Sequence, residues 1–376
     1  MSAVERSRAL TPPMAARRSP AAAAAAAQKR KRKIPAKSLA IFTRQLSVMI
    51  DAGLPLVQCL ELLAKEEPNK KLAEAVRYVR QDIEAGASLA EAMSRQSYAF
   101  NPLFTHMVAA GEAAGILDGI FKRLSTYIEK QAKLQAQVKS AMIYPVAVLI
   151  IAAIVVGVLL WKVIPTFASL FAGLNAKLPL PTRIVIKASD LFVFAMPALI
   201  AGGFLGAFMF RRFYATEAGR MKVDGMLLRV PLIGIILRKV AVARFCRTLS
   251  TLLSAGVPIL TGLDITARTS GNAVVEAAVR QARLAIERGE TISAPLRATG
   301  VFPPMVVQMI GAGESTGALD TMLAKIAEFY EDEVDVAVAG LLTVLEPIMI
   351  AFLGTIVGAI IISMYLPLFE LINQLT

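Results

Sequence analysis

Three stretches of this chain carry no charged residue over a length that matches a bilayer crossing. The remainder is broken by glycine, proline and capping residues into segments of helical length. The uncharged runs are the 22 residues between Lys139 and Lys162, the 20 between Asp190 and Arg211, and the 23 between Glu346 and Glu370. A helix rising about 1.5 Å per residue needs about 20 residues to cross a hydrocarbon core of about 30 Å. Spans are therefore predicted over 141–164, 191–210 and 344–369. Ahead of the first span, the breaks predict about six helices, roughly 39–52, 55–66, 69–85, 89–97, 102–112 and 117–143, the last leading towards the membrane. Ala52-Gly53-Leu54-Pro55 and Ala255-Gly256-Val257-Pro258 place glycine where one helix ends in the left-handed region and proline where the next begins, a tight corner. Ser88 with Glu91 forms a capping box, and Thr291 is expected to keep the cap in a second copy whose Ala294 loses the acid. Alternating strand patterns are absent, so the fold class is all-α.

The second copy is visible when the chain is laid over itself. At an offset of 203, Phe42, Arg44, Leu46, Ser47, Ala52, Gly53 and Pro55 meet Phe245, Arg247, Leu249, Ser250, Ala255, Gly256 and Pro258. After one deletion the offset is 202, and Phe100, Pro102, Met107, Gly111, Glu112, Gly115, Leu117 and Asp118 meet Phe302, Pro304, Met309, Gly313, Glu314, Gly317, Leu319 and Asp320. Pro145 then meets Pro347. A single indel over about 100 residues makes chance a poor explanation. The predicted architecture is two duplicated helical domains, 39–140 and 241–343, each running into its own span. The unmatched second span returns the chain between them, with 165–190 as the loop on the far side and 211–240 as a connector. Both domains then lie on one face. Basic residues before the first span and after the second place that face in the cytoplasm and the tail 370–376 in the periplasm.

Composition agrees. The chain is 56% apolar and only 18% charged, too oily for an ordinary soluble protein. Three spans leave about 300 of 376 residues outside the bilayer, which argues against a multi-span transporter. Of the net charge of +13, residues 1–38 carry +9, from ten Lys or Arg and one acid, Glu5. This Ala- and Lys/Arg-rich tail is expected to be disordered. Its run Lys29–Lys33 either holds anionic lipid or is simply solvated. No aromatic interleaves the charges, so nucleic acid is not expected as a partner.

Catalytic chemistry is not indicated. There is no GxxxxGK[ST] phosphate loop, no HExxH and no GxSxG, so no catalytic residue, metal or cofactor is expected. His106 is the only histidine, and Cys59 and Cys246 match no ligand spacing and read as reduced helix residues. Glu112 and Glu314 sit in matching Gly-Glu-x-x-Gly segments, Gly111 to Gly115 and Gly313 to Gly317. A carboxylate there could act as a base or hold a cation, but a helix-end turn in which the acid caps or pairs is the expectation. Glu346 stands at the mouth of the third span before Pro347, where the first copy has Tyr144 before Pro145 and, upstream, Lys139. A structural or interface role is expected for this membrane-boundary motif. Gly354 and Gly358 have GxxxG spacing, which speaks for helix packing and self-association.

The stretches Phe42-Thr-Arg-Gln-Leu-Ser-Val-Met-Ile-Asp-Ala-Gly-Leu-Pro55, Gly111-Glu112, Lys139-Ser-Ala-Met-Ile-Tyr-Pro145, Gly300-Val-Phe-Pro-Pro304, Gly313-Glu-Ser-Thr-Gly317 and Met364-Tyr-Leu-Pro367 resemble the PilC/GspF family. These are the inner-membrane platform proteins of type IV pili and the F proteins of type II secretion. The resemblance runs from about residue 38 to the end and is nearer the pilus branch. It implies two six-helix cytoplasmic bundles, three spans in the bacterial inner membrane and a homo-oligomer, a dimer. It also implies partners in hexameric ATPases, pilins and other inner-membrane pilus assembly proteins. Family members usually carry a longer, partly strand-like segment where this chain has its basic tail.

Overall fold

A computed structural model describes residues 34–173 and 178–375. The basic tail up to Lys33, expected to be disordered, lies outside the described residues. Among the described residues the fold is all helix, in two compact units, one ending at Glu129 and the other beginning at Lys130.

The first unit contains α1 (Ala36–Asp51), α2 (Leu56–Glu66), α3 (Lys70–Glu84), α4 (Leu89–Arg95), α5 (Pro102–Ala114) and the start of α6 (Leu117–Val158). Each boundary has a local cause. Gly53 at φ +78° ends α1, with Gly53 N–H donating to Ile50 O and Leu54 N–H to Met49 O, a Schellman closure. Asn69 caps α3 by accepting from the Lys71 and Leu72 amides, and Asn101 caps α5 by accepting from Phe104. Ser88 Oγ accepts from Glu91 N–H, but Glu91 turns its carboxylate to Arg95 at 2.7 Å. The core contains an aromatic ladder, Phe42 to Phe100 to Phe104 to Phe121, with centroids 5.1–6.2 Å apart, and Leu60, Leu72, Val76 and Met93 are fully buried in the same unit.

The second unit holds the remainder of α6, a π turn at Leu159–Val163, α7 (Ile164–Gly173), α8 (Leu180–Tyr214), α9 (Glu217–Leu227) and six further helices. These are α10 (Ile233–Ser254), α11 (Ile259–Thr269), α12 (Ala273–Glu287), α13 (Ser293–Ala298), α14 (Pro304–Thr316) and α15 (Leu319–Leu375). They follow the order of α1 to α6 and repeat several of its devices. Gly256 has φ +78°, Asn272 caps α12 as Asn69 caps α3, and Phe245 meets Phe302 at 4.8 Å as Phe42 meets Phe100. The expected Thr291 cap is not made. The residue before α13 is Ile292, whose side chain cannot cap, and its amide is taken by a carboxylate from another helix.

Two helices are long and apolar enough to cross a membrane: Leu117–Phe171, which passes through the π turn, and Leu319–Pro367. A third span is completed if Leu180–Ala198 and Ala201–Tyr214, bent by 53°, count as one. Pro197 lies at this bend and removes a backbone donor, and Gly202 and Gly203 follow it. The segment 165–190, expected as a loop, is helical through Gly173 and again from Leu180.

Candidate functional site

The two Gly-Glu-x-x-Gly segments form the same kind of joint in each repeat. Gly115 and Gly317, at φ +70° and +72°, end α5 and α14. From the last turn of α5, Glu112 reaches back across 22–23 residues to the N-terminus of α4. Its Oε1 accepts from Leu89 N–H at 2.8 Å and its Oε2 from Ala90 N–H at 3.1 Å. Glu314 directs both oxygens at Ile292 N–H, at 2.8 and 3.0 Å, ahead of α13. A carboxylate at this position satisfies donors that the helix cannot satisfy itself and faces the positive end of its dipole. Both acids thus serve a short helix of six or seven residues that would otherwise be marginal.

The leading glycines set the approach of the next helix. A Cβ on Gly111 would stand 2.6 Å from Ile120 Cγ1, and one on Gly313 would stand 3.0 Å from Leu319 Cα and Met322 Cβ. The corner glycines differ, because a Cβ on Gly53 or Gly256 would meet nothing within 4 Å. They are required for backbone conformation, not for space. Both corners are exposed, with Pro55 and Pro258 leading into α2 and α11. The residue between glycine and proline distinguishes them: Leu54 is 40% exposed and Val257 only 6%.

The membrane-boundary residues differ in exposure. Lys139, Tyr144, Glu346 and Pro347 are exposed while Pro145 is buried, and neither a hydrogen bond nor an ion pair joins Lys139 to Glu346 among the described residues. Both prolines lie inside uninterrupted helices.

A polar cluster on α15, about three to four turns ahead of Glu346, escapes a reading of motifs. In the second unit, α15 carries Glu331, Asp332, Glu333 and Asp335, and these face basic and amide groups on α6 and α10. Arg247 makes a bidentate pair with Glu331, both bonds at 2.8 Å, and Lys130 approaches the same carboxylate at 3.6 Å. Lys239 pairs with Glu333, and Gln137 Nε2 donates to Asp335 Oδ2 at 2.9 Å. A seam of Leu134, Ile236, Val334 and Val338 binds the same three helices apolarly. Arg247 is largely buried, so its fork geometry fixes how α10 sits on α15. The available signal was the run of four acids in five residues, 11 residues ahead of Glu346, where the uncharged span begins. Among the described residues no group of three or more His, Cys, Asp or Glu side chains is placed to hold a metal.

The sequence pattern of the family Type II secretion system (T2SS), protein F, matches this chain twice, over residues 42–165 and 245–367. The chain is 46% identical over 342 residues to the type IV pilus assembly protein PilC of Myxococcus xanthus, covering 90% of this chain and 81% of that protein. It is 46% identical over 341 residues to the PilC of Thermus thermophilus, covering 90% and 84%. To the type II secretion system protein F of Pseudomonas aeruginosa it is 35% identical over 348 residues, covering 92% and 85%. With both repeats matched and relatives aligned over most of their length, the chain belongs to the PilC/GspF family of inner-membrane platform proteins, in close relation to its type IV pilus members.

Proposed function

We propose that this protein is the inner-membrane platform of a type IV pilus assembly machine. It couples cytoplasmic hexameric ATPases to the insertion, and the removal, of pilin subunits at the filament base. The observation that carries this reading is the continuity of α6 and α15. Each begins in a helical repeat and runs without a break into a membrane-crossing length, α15 for 57 residues or about 85 Å. The protein supplies no chemistry of its own. The partner ATPase provides the energy, and the helices carry a rotation or tilt into the bilayer, where they lift a pilin whose extraction would otherwise expose about 20 apolar residues.

In this reading the repeats are two six-helix cytoplasmic bundles, 39–140 and 241–343, the spans are three, the N-terminus is cytoplasmic and the C-terminus periplasmic. The chain works as a homodimer in the bacterial inner membrane with other pilus assembly proteins. The corners at Gly53–Pro55 and Gly256–Pro258 and the Gly-Glu joints shape the docking faces of the bundles. The duplicated order of helices and the basic residues flanking the spans support this arrangement.

Deletion of the gene tests the function. Loss of surface filaments by electron microscopy, with mature pilin still present in the inner membrane by immunoblot, is the expected result. Filaments that persist while exoprotein release fails would transfer the assignment to a type II secretion platform acting on pseudopilins.

A further inference from the structure

The first turns of α8 bury two hydroxyls in an otherwise apolar contact. Thr182, Val185, Ile186 and Ser189 recur at helical spacing and share one face, while Arg183, Lys187 and Asp190 are exposed on the others. Thr182 is 0% and Ser189 1% exposed, and Val185 and Ile186 pack on a cluster of Ile164, Phe171, Ile360 and Met364 drawn from α7 and α15. This cluster lies far from the polar one, since Ser363 is 28–32 residues, about 42–48 Å of helix, beyond Asp335 and Glu331 on α15. A buried hydroxyl must find a partner. Thr182 Oγ1 donates to Ser363 O, and Ser189 Oγ donates to Leu160 O.

Both acceptors have lost their own helical donors, and a proline is the reason each time. In an α-helix the Ser363 carbonyl accepts from the amide four residues on, but that residue is Pro367, which has no N–H. At Leu160 the π turn shifts the register, so that Ile164 N–H donates to Leu159 O, and the next residue in line is Pro165. An unpaired carbonyl in or near hydrocarbon is costly, so spans that carry such prolines draw a donor from a neighbouring helix.

We propose that Thr182 and Ser189 are a two-point hydroxyl clamp. Spaced two turns apart on α8, they fasten it to the other two spans at the two proline-orphaned carbonyls, so that this end of the three spans moves as one body. The clamp gives the Met364-Tyr-Leu-Pro367 stretch a physical role: Pro367 creates the acceptor that Thr182 requires. It holds whatever the platform assembles.

Double-mutant cycles on the full chain in detergent, with the folded-to-unfolded ratio read at a fixed fraction of denaturing detergent, test the clamp. Thr182→Val keeps the shape and loses the donor, and is expected to lower the ratio about three- to twentyfold. Thr182→Ser retains the donor and the ratio. Pro367→Ala restores an amide to Ser363 O, so in that background Thr182→Val is expected to cost less than about twofold. Ser189→Ala with and without Pro165→Ala forms the second cycle and carries the test if a Pro367 variant does not fold. A Thr182→Val or Ser189→Ala penalty that is the same with and without its proline, or Thr182→Ser falling as far as Thr182→Val, would overturn the proposal.

Discussion

Replacing Glu112 separates a capping acid from a chemical one. Glu112→Ala removes the acceptor for two backbone donors, Leu89 N–H at 2.8 Å and Ala90 N–H at 3.1 Å, and leaves only Ser88 Oγ at the start of α4. Bonds to a charged acceptor contribute about 1.5–3 kcal/mol when sheltered, and losing a helix cap costs about 0.5–2 kcal/mol. Glu112 is only half-buried, so the lower ends apply and the pair is worth about 2 kcal/mol. That is about a 30-fold rise in local opening. Glu112→Gln keeps one carbonyl acceptor and is expected to cost about 1 kcal/mol, a rise of about fivefold. Hydrogen–deuterium exchange on the full chain in detergent reads this directly, with faster exchange at residues 89–90 and little change in α2 or α3. Filament assembly should follow the same order, alanine worse than glutamine. Unchanged exchange at 89–90 in Glu112→Ala would refute the capping account. Full protection in Glu112→Gln with assembly abolished would instead make the carboxylate itself the working group.

Other substitutions sort the glycines and the polar cluster. Gly53→Ala and Gly256→Ala meet open space but an unfavourable backbone angle and should cost about 1 kcal/mol each by thermal unfolding. Gly111→Ala must displace Ile120 in a buried contact and is expected to cost about 1–3 kcal/mol, more than either exposed corner. Arg247→Ala leaves Glu331 with Lys130 alone and should destabilise the second unit by about 3 kcal/mol, whereas Arg247→Ala with Glu331→Gln recovers much of that loss. Burial pushes the thiols of Cys59 and Cys246 up, so neither should react with maleimide until the chain unfolds. The folded chain therefore holds those protons when the unfolded chain releases them, and stability should decline as pH rises through the ordinary thiol range, as chemical denaturation at pH 7 and 9.5 would show.

Helix boundaries were legible wherever the signal is local. The starts at Leu56, Lys70 and Pro102, and the ends at Gly53 and Gly115, follow from proline, asparagine and glycine chemistry within four residues. The repeat was equally plain, because its marks are identities at a fixed offset. What could not be read were partners distant in sequence. The caps on Leu89 and Ile292 come from residues 22–23 positions away, so Thr291 was expected to do locally what Glu314 does from another helix. The polar cluster pairs residues 84–201 positions apart, and its members look like ordinary surface charges until the helices are assembled. The π turn and the helical stretch up to Gly173 were likewise hidden, since Pro165 signals a break that a register shift absorbs.

The length of α15 also sets a mechanical scale. A rod pivoting by about 5° at its base displaces a point 50 Å along it by about 4 Å, close to the helical pitch of about 5.4 Å. A movement of that angle leaves the charged side chains around Glu331 within reach of the same neighbours. At Ser363, where α8 would move with it, the same tilt is nearly enough to carry the clamped end one row of contacts along whatever lies outside the three spans. On the platform reading, the helix would act as a lever in which a displacement small enough for a packed core to tolerate grows, toward its C-terminal end, to most of a helical step.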